Sequence, residues 1–423
     1  MTQRRTKVAI DVRISGDGST GSMQQVLIGL VAGLASLKEP DMEYVFITNH
    51  DASSWLGKYL ASNQSLYLLD CPSNRWREKV KLGLGPLKTP LLKAYRKWKR
   101  LLWGPPQFQL PVLPISDGVA EQLKVDLLHL AYSEQFYRSE IPTVCSIYDL
   151  QHLHLPDYFP EVVLKWREAV YLAMFHHSNK IFTISESTKT DVVSHYKIPE
   201  EKIEIAHLGP VNAYYPEIHE NDLIAFRNRF GLPEKFLFFP ALMYGHKNHL
   251  ALLDAMAHLR DTEGLTVFLL ACGKKEFTWR EIEEKVKRLN LAHQVIFPGF
   301  LTEVEMRCAY QLALALIFPS RFEGAGLPLI EAMQEGLAIA CSDLPAHREY
   351  AGEAALFFDP SSVDSIAKGI SRIWNDELLR SELIRKGKLQ VTKFSWTNVA
   401  RQYSLAYRKV LQELSASGST KKP

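Results

Sequence analysis

The chain alternates between short apolar runs and longer stretches in which apolar residues recur every three or four positions. Apolar runs of about four to eight residues are typical of buried strands, and the longer spacing is typical of amphipathic helices. In the first half the pattern predicts strands at Lys7–Ile14, Tyr44–Thr48, Leu66–Leu69, Leu127–Leu130, Thr143–Tyr148 and Lys180–Ile184, and helices at Ser22–Leu37, Glu161–His177 and Ser187–Tyr196. In the second half it predicts strands at Phe236–Phe239, Thr266–Ala271, Val295–Phe297 and Leu312–Phe318, and helices at Leu250–Leu259, Arg280–Leu289, Glu303–Leu312 and Leu327–Glu335.

Strands and helices alternate one by one through both halves. Such alternation predicts doubly wound parallel sheets of the α/β class with helices on both faces. At 423 residues the chain exceeds the roughly 250–300 residues that one core supports, so at least two domains are expected. A turn-rich segment, His207–Glu220, marks the connection. The domains are therefore placed at residues 1–210 and 211–394, followed by a C-terminal helix and tail at 395–423.

The composition is that of an ordinary globular protein, with 46% hydrophobic residues, 23% charged residues and a net charge of +3. No segment approaches the roughly 20 consecutive apolar residues of a membrane span, and the N-terminus lacks the apolar region of a signal peptide. The cysteines have no C-x-x-C spacing, which indicates thiols in a reducing compartment; they are Cys71, Cys145, Cys272, Cys308 and Cys341. A cytoplasmic location is therefore expected.

The segment with the clearest chemistry is Pro319–Glu331, PSRFEGAGLPLIE, which joins a predicted strand to a short helix. Its Gly-Ala-Gly turn directs free backbone N–H groups and the positive helix end at one point, which favours an anion such as a diphosphate. Glu323 lies in the turn, and Glu331 lies about two turns into the helix. Carboxylates repel a phosphate, so these two suit the hydroxyl groups on either side of it, as in a sugar and a ribose.

With its E-x7-E spacing, FPSRFEGAGLPLIEAM resembles the signature of the retaining family 4 glycosyltransferases of GT-B fold. The resemblance implies two facing Rossmann-like α/β domains, with the C-terminal helix crossing back to the first. It also implies that Glu323 contacts the transferred sugar and that Glu331 binds the ribose of a nucleotide sugar. The amides that would hold the diphosphate are those of Gly324, Ala325, Gly326 and Leu327. The alternative interpretation is a pair of surface carboxylates on an ordinary α/β unit.

The second domain opens with FFPALMYGHKNHLALLDAM, which also resembles that family. The resemblance implies that Lys247 neutralises the donor diphosphate; the structural alternative is a lysine at a helix start, where the helix dipole disfavours it. Many relatives carry an arginine about five residues earlier, where this chain has Leu242. Either His246 substitutes for that arginine or the diphosphate has one cation fewer. Phe300, within PGFL, falls in the loop whose backbone reads the nucleotide base.

In the first domain, SIYDLQHLHLPDYFP takes the place of the family's His-Asp loop, which lines the sugar pocket. Asp149 matches that loop and is counted with Glu323 and Lys247 as catalytic. Tyr148 stands at the usual histidine position. His152 is therefore a candidate to replace that histidine, and the alternative is a loop histidine bonded to backbone.

The glycine-rich loop after the first strand supports a rival function. Its G-x-G-x-x-G motif, at residues 16–21, lies between a strand and a helix, as a dinucleotide-binding fingerprint does. Asp17 would put a negative charge inside the pyrophosphate loop, and Asp41 precedes the second strand instead of ending it. In family 4 a similar loop faces the donor phosphate or the acceptor, the role that the resemblance gives to Gly21 and Ser22. The alternatives are an NAD-type oxidoreductase and a non-catalytic scaffold that binds a nucleotide sugar.

Metal binding receives little support from the sequence. The candidate ligands are Asp149, His152, His154, His246 and His249, and nothing among them has metal-site spacing on one element. The chain also lacks the Asp-x-Asp pair with which metal-dependent glycosyltransferases of the other fold hold Mg²⁺ or Mn²⁺. We expect no metal and no cofactor, with a nucleoside-diphosphate sugar as donor substrate.

The segment Arg75–Arg100 carries ten Lys or Arg residues and one acid, Glu78, a local charge of +9 within a predicted insert at 75–107. Apolar residues recur in it at helical spacing: Leu91, Tyr95, Trp98 and Leu102. A basic amphipathic helix with aromatic residues suits an anionic membrane surface. A solvated basic helix packed on the first domain is an equal alternative. Nucleic-acid binding ranks below both, because no recognised binding motif accompanies the basic residues.

Together these features predict a retaining hexosyltransferase with GDP-mannose or a UDP-hexose as donor and a glycan or glycolipid as acceptor, in surface polysaccharide or glycoconjugate synthesis. By resemblance, the nucleotide sugar binds mainly to the second domain and the acceptor to the first. No protein nucleophile is evident, so the acceptor attacks from the leaving-group face and a donor phosphate oxygen takes its proton. The expected location is the cytoplasm, with a peripheral position on the inner face of the plasma membrane if the basic segment binds lipid.

Overall fold

The computed structural model describes residues 4–14, 22–69, 114–132, 136–275 and 278–416. The predictions made for the basic segment Arg75–Arg100, for Gly21 with the rest of the glycine-rich loop and for Cys71 lie outside the described residues.

Seven parallel strands form the first sheet, in the order β3-β2-β1-β4-β5-β6-β7. They are β1 Thr6–Asp11, β2 Met42–Asn49, β3 Gln64–Leu69, β4 Leu127–Leu130, β5 Thr143–Ile147, β6 Lys180–Thr183 and β7 Ile203–Ile205. In the described part of this half, the helices are α1 Met23–Leu37, α2 Ala52–Leu56, α3 Val119–Gln122, α4 Gln151–His154, α5 Glu161–His177 and α6 Glu186–Tyr196. Every residue of β4, β5 and β6 is buried, as expected for a parallel sheet that is covered on both faces.

Six parallel strands form the second sheet, in the order β10-β9-β8-β11-β12-β13. They are β8 Leu237–Pro240, β9 Leu269–Cys272, β10 Val295–Ile296, β11 Ala315–Phe318, β12 Ile339–Ser342 and β13 Ala355–Phe358. The helices of this half are α7 Glu220–Phe230, α8 His249–Glu263, α9 Trp279–Arg288, α10 Glu303–Leu312, α11 Leu327–Glu335, α12 Pro345–Ala351, α13 Val363–Asn375 and α14 Glu377–Gln390. The last helix, α15, spans Trp396–Ala416.

The strand order reverses beside β1 in the first sheet and beside β8 in the second. In a doubly wound sheet, the carboxyl ends of the strands at such a reversal leave a crevice that binds ligands. Residues that follow β1, β5, β8, β9 and β11 line one common cavity of about 1070 Å³. The two crevices therefore form a single cleft between the domains.

Helix α15 crosses back to the first domain and packs along α1. Gly29 and Gly33 form a notch on α1: a Cβ on Gly29 would lie 2.0 Å from the Trp396 ring, and one on Gly33 would lie 2.4 Å from the Trp396 carbonyl oxygen. Farther along, the Tyr407 hydroxyl lies 2.7 Å from Nδ1 of the buried His129, beneath the first sheet. The C-terminal helix α15 therefore forms part of the hydrophobic core of the first domain.

The predicted two-domain α/β architecture, including the return of the last helix, is confirmed. Each strand and helix that the hydrophobic pattern predicted within the described residues is present, although several ends differ; β1 ends at Asp11 instead of Ile14. Strands β7, β12 and β13 and helices α2 to α4, α7 and α12 to α14 were not predicted. Among the described residues, no helix is both long and apolar enough to span a bilayer.

Candidate functional site

The cleft is lined by both domains and brings together most of the residues singled out in the sequence. The predicted site residues that line it are Ser22, Asp149, His246, Lys247, Phe300, Glu323, Gly324, Ala325, Gly326, Leu327 and Glu331. Phe300 is exposed at its rim. Of the remaining candidates, Gly21 lies outside the described residues and His152 lies elsewhere in the first domain.

The turn at 323–326 links β11 to α11 and presents unused backbone donors to the cleft. Gly326 has a φ of +136°, a conformation that L side chains rarely adopt, so glycine is required there. Within the described residues, the N–H groups of residues 324–327 donate no hydrogen bond. Free N–H groups and the positive end of α11 make this turn suitable for an anion.

Lys247 and Glu323 meet in the cleft. Lys247 Nζ lies 2.6 Å from Glu323 Oε1, and the two side chains are only 19% and 13% exposed. Burial acts to raise the pKa of Glu323, but the Lys247 ammonium, with smaller contributions from neighbouring groups, lowers that pKa below its ordinary value. Glu323 is therefore an ionised acceptor of hydrogen bonds at neutral pH.

His246 and His249 lie beside Lys247 but add no charge to the cleft. Burial, reinforced by the nearby Lys247, lowers the pKa of each to about 3. His246 is thus neutral in the free protein. It does not by itself supply the cation that is missing at Leu242.

Glu331 is buried on α11 with one carboxylate oxygen engaged. Its Oε2 accepts a hydrogen bond of 2.7 Å from the Tyr310 hydroxyl, and the residue is 5% exposed. Burial raises the pKa of Glu331 to about 7, although the Tyr310 hydrogen bond opposes the shift. No residue in the described part of the chain bonds to Oε1, which can accept a hydrogen bond from a ligand hydroxyl.

Asp149 enters the cleft from the first domain, just after β5. Its Oδ1 accepts a hydrogen bond of 3.0 Å from the Gln151 backbone, which fixes the loop at the start of α4. The backbones of the two domains touch here, because a Cβ on Gly324 would lie 1.9 Å from the Tyr148 carbonyl oxygen. Asp149 and the turn at Gly324 therefore lie on opposite walls of one cleft, whose walls meet at this contact.

His152 does not reach the cleft, contrary to the expected sugar contact. Its side chain is 1% exposed, and its Nε2 lies 3.1 Å from the Tyr196 hydroxyl. Burial lowers the pKa of His152 to about 4, so the imidazole is neutral. The short helix α4 directs Gln151 to the cleft and His152 into the first core. The loop-histidine alternative also fails, since a side chain rather than backbone binds this ring.

His154 connects the two domains. Its ring stacks on Phe322 of the second domain, with 4.9 Å between the ring centres, and its Nε2 lies 2.7 Å from Asp191. The Tyr158 ring fills the space beside Gly245, where a Cβ would lie 2.4 Å from it. These contacts hold the segment after β5 against the turns that carry Lys247 and Glu323.

Several polar residues of the cleft were not singled out from the sequence: Gln151, Tyr158, Arg167 and Arg321. Arg321 lies within the quoted motif, and its Nε donates a hydrogen bond of 3.1 Å to Asn248 Oδ1. Nothing local distinguishes Arg167 from other helical arginines, so it becomes visible only through the tertiary structure.

No metal centre is formed by the described residues, in which no group of three or more His, Cys, Asp or Glu side chains could hold an ion. The candidate ligands are dispersed: His152 is in the first core, His154 is at the domain contact, and His246 and His249 are beside Lys247.

Two family models match the chain. Glycosyl transferases group 1 matches residues 221–390, and Glycosyltransferase Family 4 matches residues 71–209. Each match lies within one domain, and together they cover most of the chain.

Curated relatives carry similar descriptions. O-antigen chain mannosyltransferase B of Escherichia coli is 24% identical to this chain over 63% of this chain and 70% of its own length. Serotype-specific mannosyltransferase WbdA of Escherichia coli is 29% identical over 57% of this chain, but that match spans only 30% of WbdA. The chain thus corresponds to less than a third of the length of that second relative.

Solved structures share the fold along nearly the whole chain. The Anabaena protein HepE, in complex with UDP-glucose, superposes with a TM-score of 0.68 at 14% identity, covering 96% of this chain and 100% of HepE. At this identity the likeness establishes the fold alone.

Proposed function

This chain is a glycosyltransferase that belongs to family 4 and has the GT-B fold, and we propose that it transfers a hexose from a nucleoside-diphosphate sugar to a glycan acceptor with retention of configuration. The observation that carries the proposal is the turn at 323–327, whose free N–H groups adjoin the paired Lys247 and Glu323 in one cleft. Family membership sets aside the oxidoreductase interpretation.

The proposed binding mode follows the distribution of charge. The diphosphate takes the N–H groups of residues 324–327 and the N-terminus of α11, with Lys247 as its cation. Glu331 accepts a hydroxyl group of the ribose through its free oxygen. Glu323, released from Lys247 as the diphosphate arrives, accepts hydroxyl groups of the sugar.

In the proposed reaction, an acceptor hydroxyl attacks the anomeric carbon on the face from which the diphosphate leaves. The bond between that carbon and the diphosphate oxygen breaks, and a phosphate oxygen takes the hydroxyl proton. Charge that develops on the leaving group is stabilised by Lys247 and by the helix end, which are already in place before reaction. Asp149, on the opposite wall, orients the sugar. No step calls on a metal ion.

We further propose that the sugar is mannose, donated by GDP-mannose, and that the acceptor is a growing surface polysaccharide. Support comes from the names of three curated relatives, which are mannosyltransferases; two of these names are of O-antigen chain mannosyltransferases. A UDP-hexose is the second candidate donor, since HepE, whose fold is shared, was solved with UDP-glucose.

The test is a thermal-shift screen of the purified chain against GDP, UDP and ADP and their common hexose conjugates, followed by measurement of nucleotide release. A ligand present at about 100 times its Kd stabilises the folded state by about 2.7 kcal/mol. We expect one nucleotide sugar to stabilise the chain and to be hydrolysed slowly without an acceptor.

Glu323→Gln supplies the matched variant, and Glu413→Gln, an exposed change on α15, supplies the control. The Glu323→Gln variant should still bind the nucleoside diphosphate but lose the additional stabilisation from the sugar. If no nucleotide or nucleotide sugar binds, or if Glu323→Gln and Glu413→Gln behave alike, the proposal is wrong.

A further inference from the structure

The first-domain wall of the cleft presents a cation. Arg167 lies on α5, is half-buried and lines the cleft together with Gln151, Tyr158 and Phe159. Its guanidinium carbon lies over the Phe159 ring, 4.8 Å from the ring centre. A guanidinium stacked on a ring uses its face, so the N–H donors in its plane stay available for a forked contact with an oxyanion.

Arg167 is less well paired than the other cations of the cleft. Each of those cations has a partner. Lys247 is paired with Glu323, Lys285 is paired with Asp254, and Arg321 donates a hydrogen bond to Asn248. Within the described residues, no carboxylate and no hydrogen-bond acceptor contacts the Arg167 guanidinium. On the same helix, by contrast, Lys165 is paired with Glu161 at 2.7 Å. A half-buried cation without a counter-ion attracts an anionic group, and the attraction strengthens as water is excluded.

We propose that Arg167 binds a phosphate group carried by the acceptor. This inference rests on the proposed glycosyl transfer and adds the chemical class of the acceptor. The diphosphate of the nucleotide sugar has its own cation, Lys247, and its own helix end on the second domain. Arg167, on the first domain, therefore serves the other substrate.

A phosphate fits this wall better than a carboxylate does. Gln151 and Tyr158 line the same cleft and offer an amide and a hydroxyl, and within the described residues neither side chain has a hydrogen-bond partner. Three donor groups match the three terminal oxygens of a phosphate, whereas a carboxylate offers two. Two kinds of acceptor carry phosphate oxygens that these donors could bind. One is a sugar phosphate, whose monoester group has three terminal oxygens, and the other is a glycan linked to lipid through a diphosphate, whose two phosphates each have two non-bridging oxygens.

The experiment measures binding of defined probes to the full chain by direct titration calorimetry, with the nucleoside diphosphate held at saturation so that the Lys247 site is occupied. The probes are mannose 6-phosphate, mannose, glucuronate and a short-chain prenyl diphosphate. The variants are Arg167→Gln, Arg167→Lys and the control Lys165→Gln, which removes a neighbouring cation that is already paired.

We expect Arg167→Gln to weaken the binding of mannose 6-phosphate by at least about tenfold, because one charge-assisted contact is lost. The affinity for mannose, which has no phosphate, should stay unchanged. Arg167→Lys keeps the charge but lacks the two parallel N–H donors of the guanidinium, so its affinity for mannose 6-phosphate should lie between those of wild type and Arg167→Gln. If Arg167→Gln does not fold, Arg167→Lys provides the test. Lys165→Gln should match wild type. Tighter binding of the prenyl diphosphate than of mannose 6-phosphate assigns the phosphate to a lipid-linked acceptor, and the reverse order assigns it to a sugar phosphate.

Equal binding of mannose 6-phosphate to wild type and Arg167→Gln overturns the inference, as does glucuronate binding that equals or exceeds that of mannose 6-phosphate. Nucleoside-diphosphate affinity is measured separately by calorimetry on each of the same protein preparations. If it is intact while the phosphate effect is absent, only this inference fails; if it is absent in wild type, the proposed function itself fails.

Discussion

Lys247 and Glu323 lie 76 residues apart in the sequence, yet their side chains share a hydrogen bond of 2.6 Å at the base of the cleft. In the proposed complex, the cation belongs to the diphosphate and the carboxylate to the sugar. The free protein therefore keeps the two binding groups neutralised by each other, and a nucleotide sugar must separate them.

Removal of the carboxylate should separate nucleotide binding from turnover. Glu323→Gln frees Lys247, so the nucleoside diphosphate should bind at least as tightly as it does to wild type. Turnover should fall at least about tenfold, which is 1.4 kcal/mol, because the sugar loses a charge-assisted partner. Calorimetry with the nucleotide and a transfer or hydrolysis assay measure the two effects. Unchanged turnover would contradict the assigned role.

Removal of the Lys247 cation should weaken nucleotide binding, whereas removal of the Glu323 carboxylate should not. Lys247→Met should weaken the nucleoside diphosphate itself and also lower turnover at least about tenfold. The measurement is the same pair of assays, with Glu413→Gln as the control. If Lys247→Met binds the nucleotide as wild type does, the diphosphate does not contact this lysine.

Glu331 should make the stability of the free protein depend on pH. Burial raises its pKa from an ordinary value of 4.5 to about 7, so between these values the folded chain holds a proton that the unfolded chain has released. Folding stability is therefore lost as the pH rises through this window. Glu331→Gln cannot ionise, and urea unfolding at a series of pH values should show a smaller decline for it. An identical decline in both proteins would exclude Glu331 as the cause.

Gly324 should control whether the domains can close. Gly324→Ala places a methyl group 1.9 Å from the Tyr148 carbonyl oxygen, so the first-domain loop must move away from the turn. We expect turnover to fall more than nucleotide affinity, because the nucleotide contacts lie on the second domain. Gly57→Ala is the control, since no heavy atom lies within 4 Å of its new methyl group. Equal activity of the two variants would show that closure at this point is dispensable.

Gly29 should be required for docking of α15. Gly29→Ala places a methyl group 2.0 Å from the Trp396 ring, and overpacking of this kind costs about 1–3 kcal/mol. Urea unfolding of Gly29→Ala and Gly57→Ala measures the difference. The prediction fails if Gly29→Ala is as stable as Gly57→Ala.

The sequence predicted those parts of the fold and site that depend on local pattern. The helix Glu161–His177 and the turn before Leu327 were found because periodicity and glycine spacing express them within a few neighbouring residues. Strands β12 and β13 were missed because four-residue apolar runs inside longer apolar segments give no clear period.

The sequence could not tell which histidine faces the cleft. His152 and Gln151 are adjacent, and the orientation of a one-turn helix depends on what packs beneath it, here Tyr171 and Tyr196. The pairing of Lys247 with Glu323 was equally invisible, because it joins two loops at different strand ends. Arg167 could not be found from the sequence either, since only its position in the assembled cleft distinguishes it from other helical arginines.

The bond between His129 and Tyr407 spans 278 positions of the sequence, and this has a consequence for synthesis on the ribosome. The strands of the second sheet, β8 to β13, are all made before α15 emerges. Until then α1 has an uncovered notch and the first core lacks its cover. The second domain is therefore the first to be complete, the reverse of the usual order along a chain. A chain truncated before Trp396 retains every strand of both sheets but lacks the helix that covers α1.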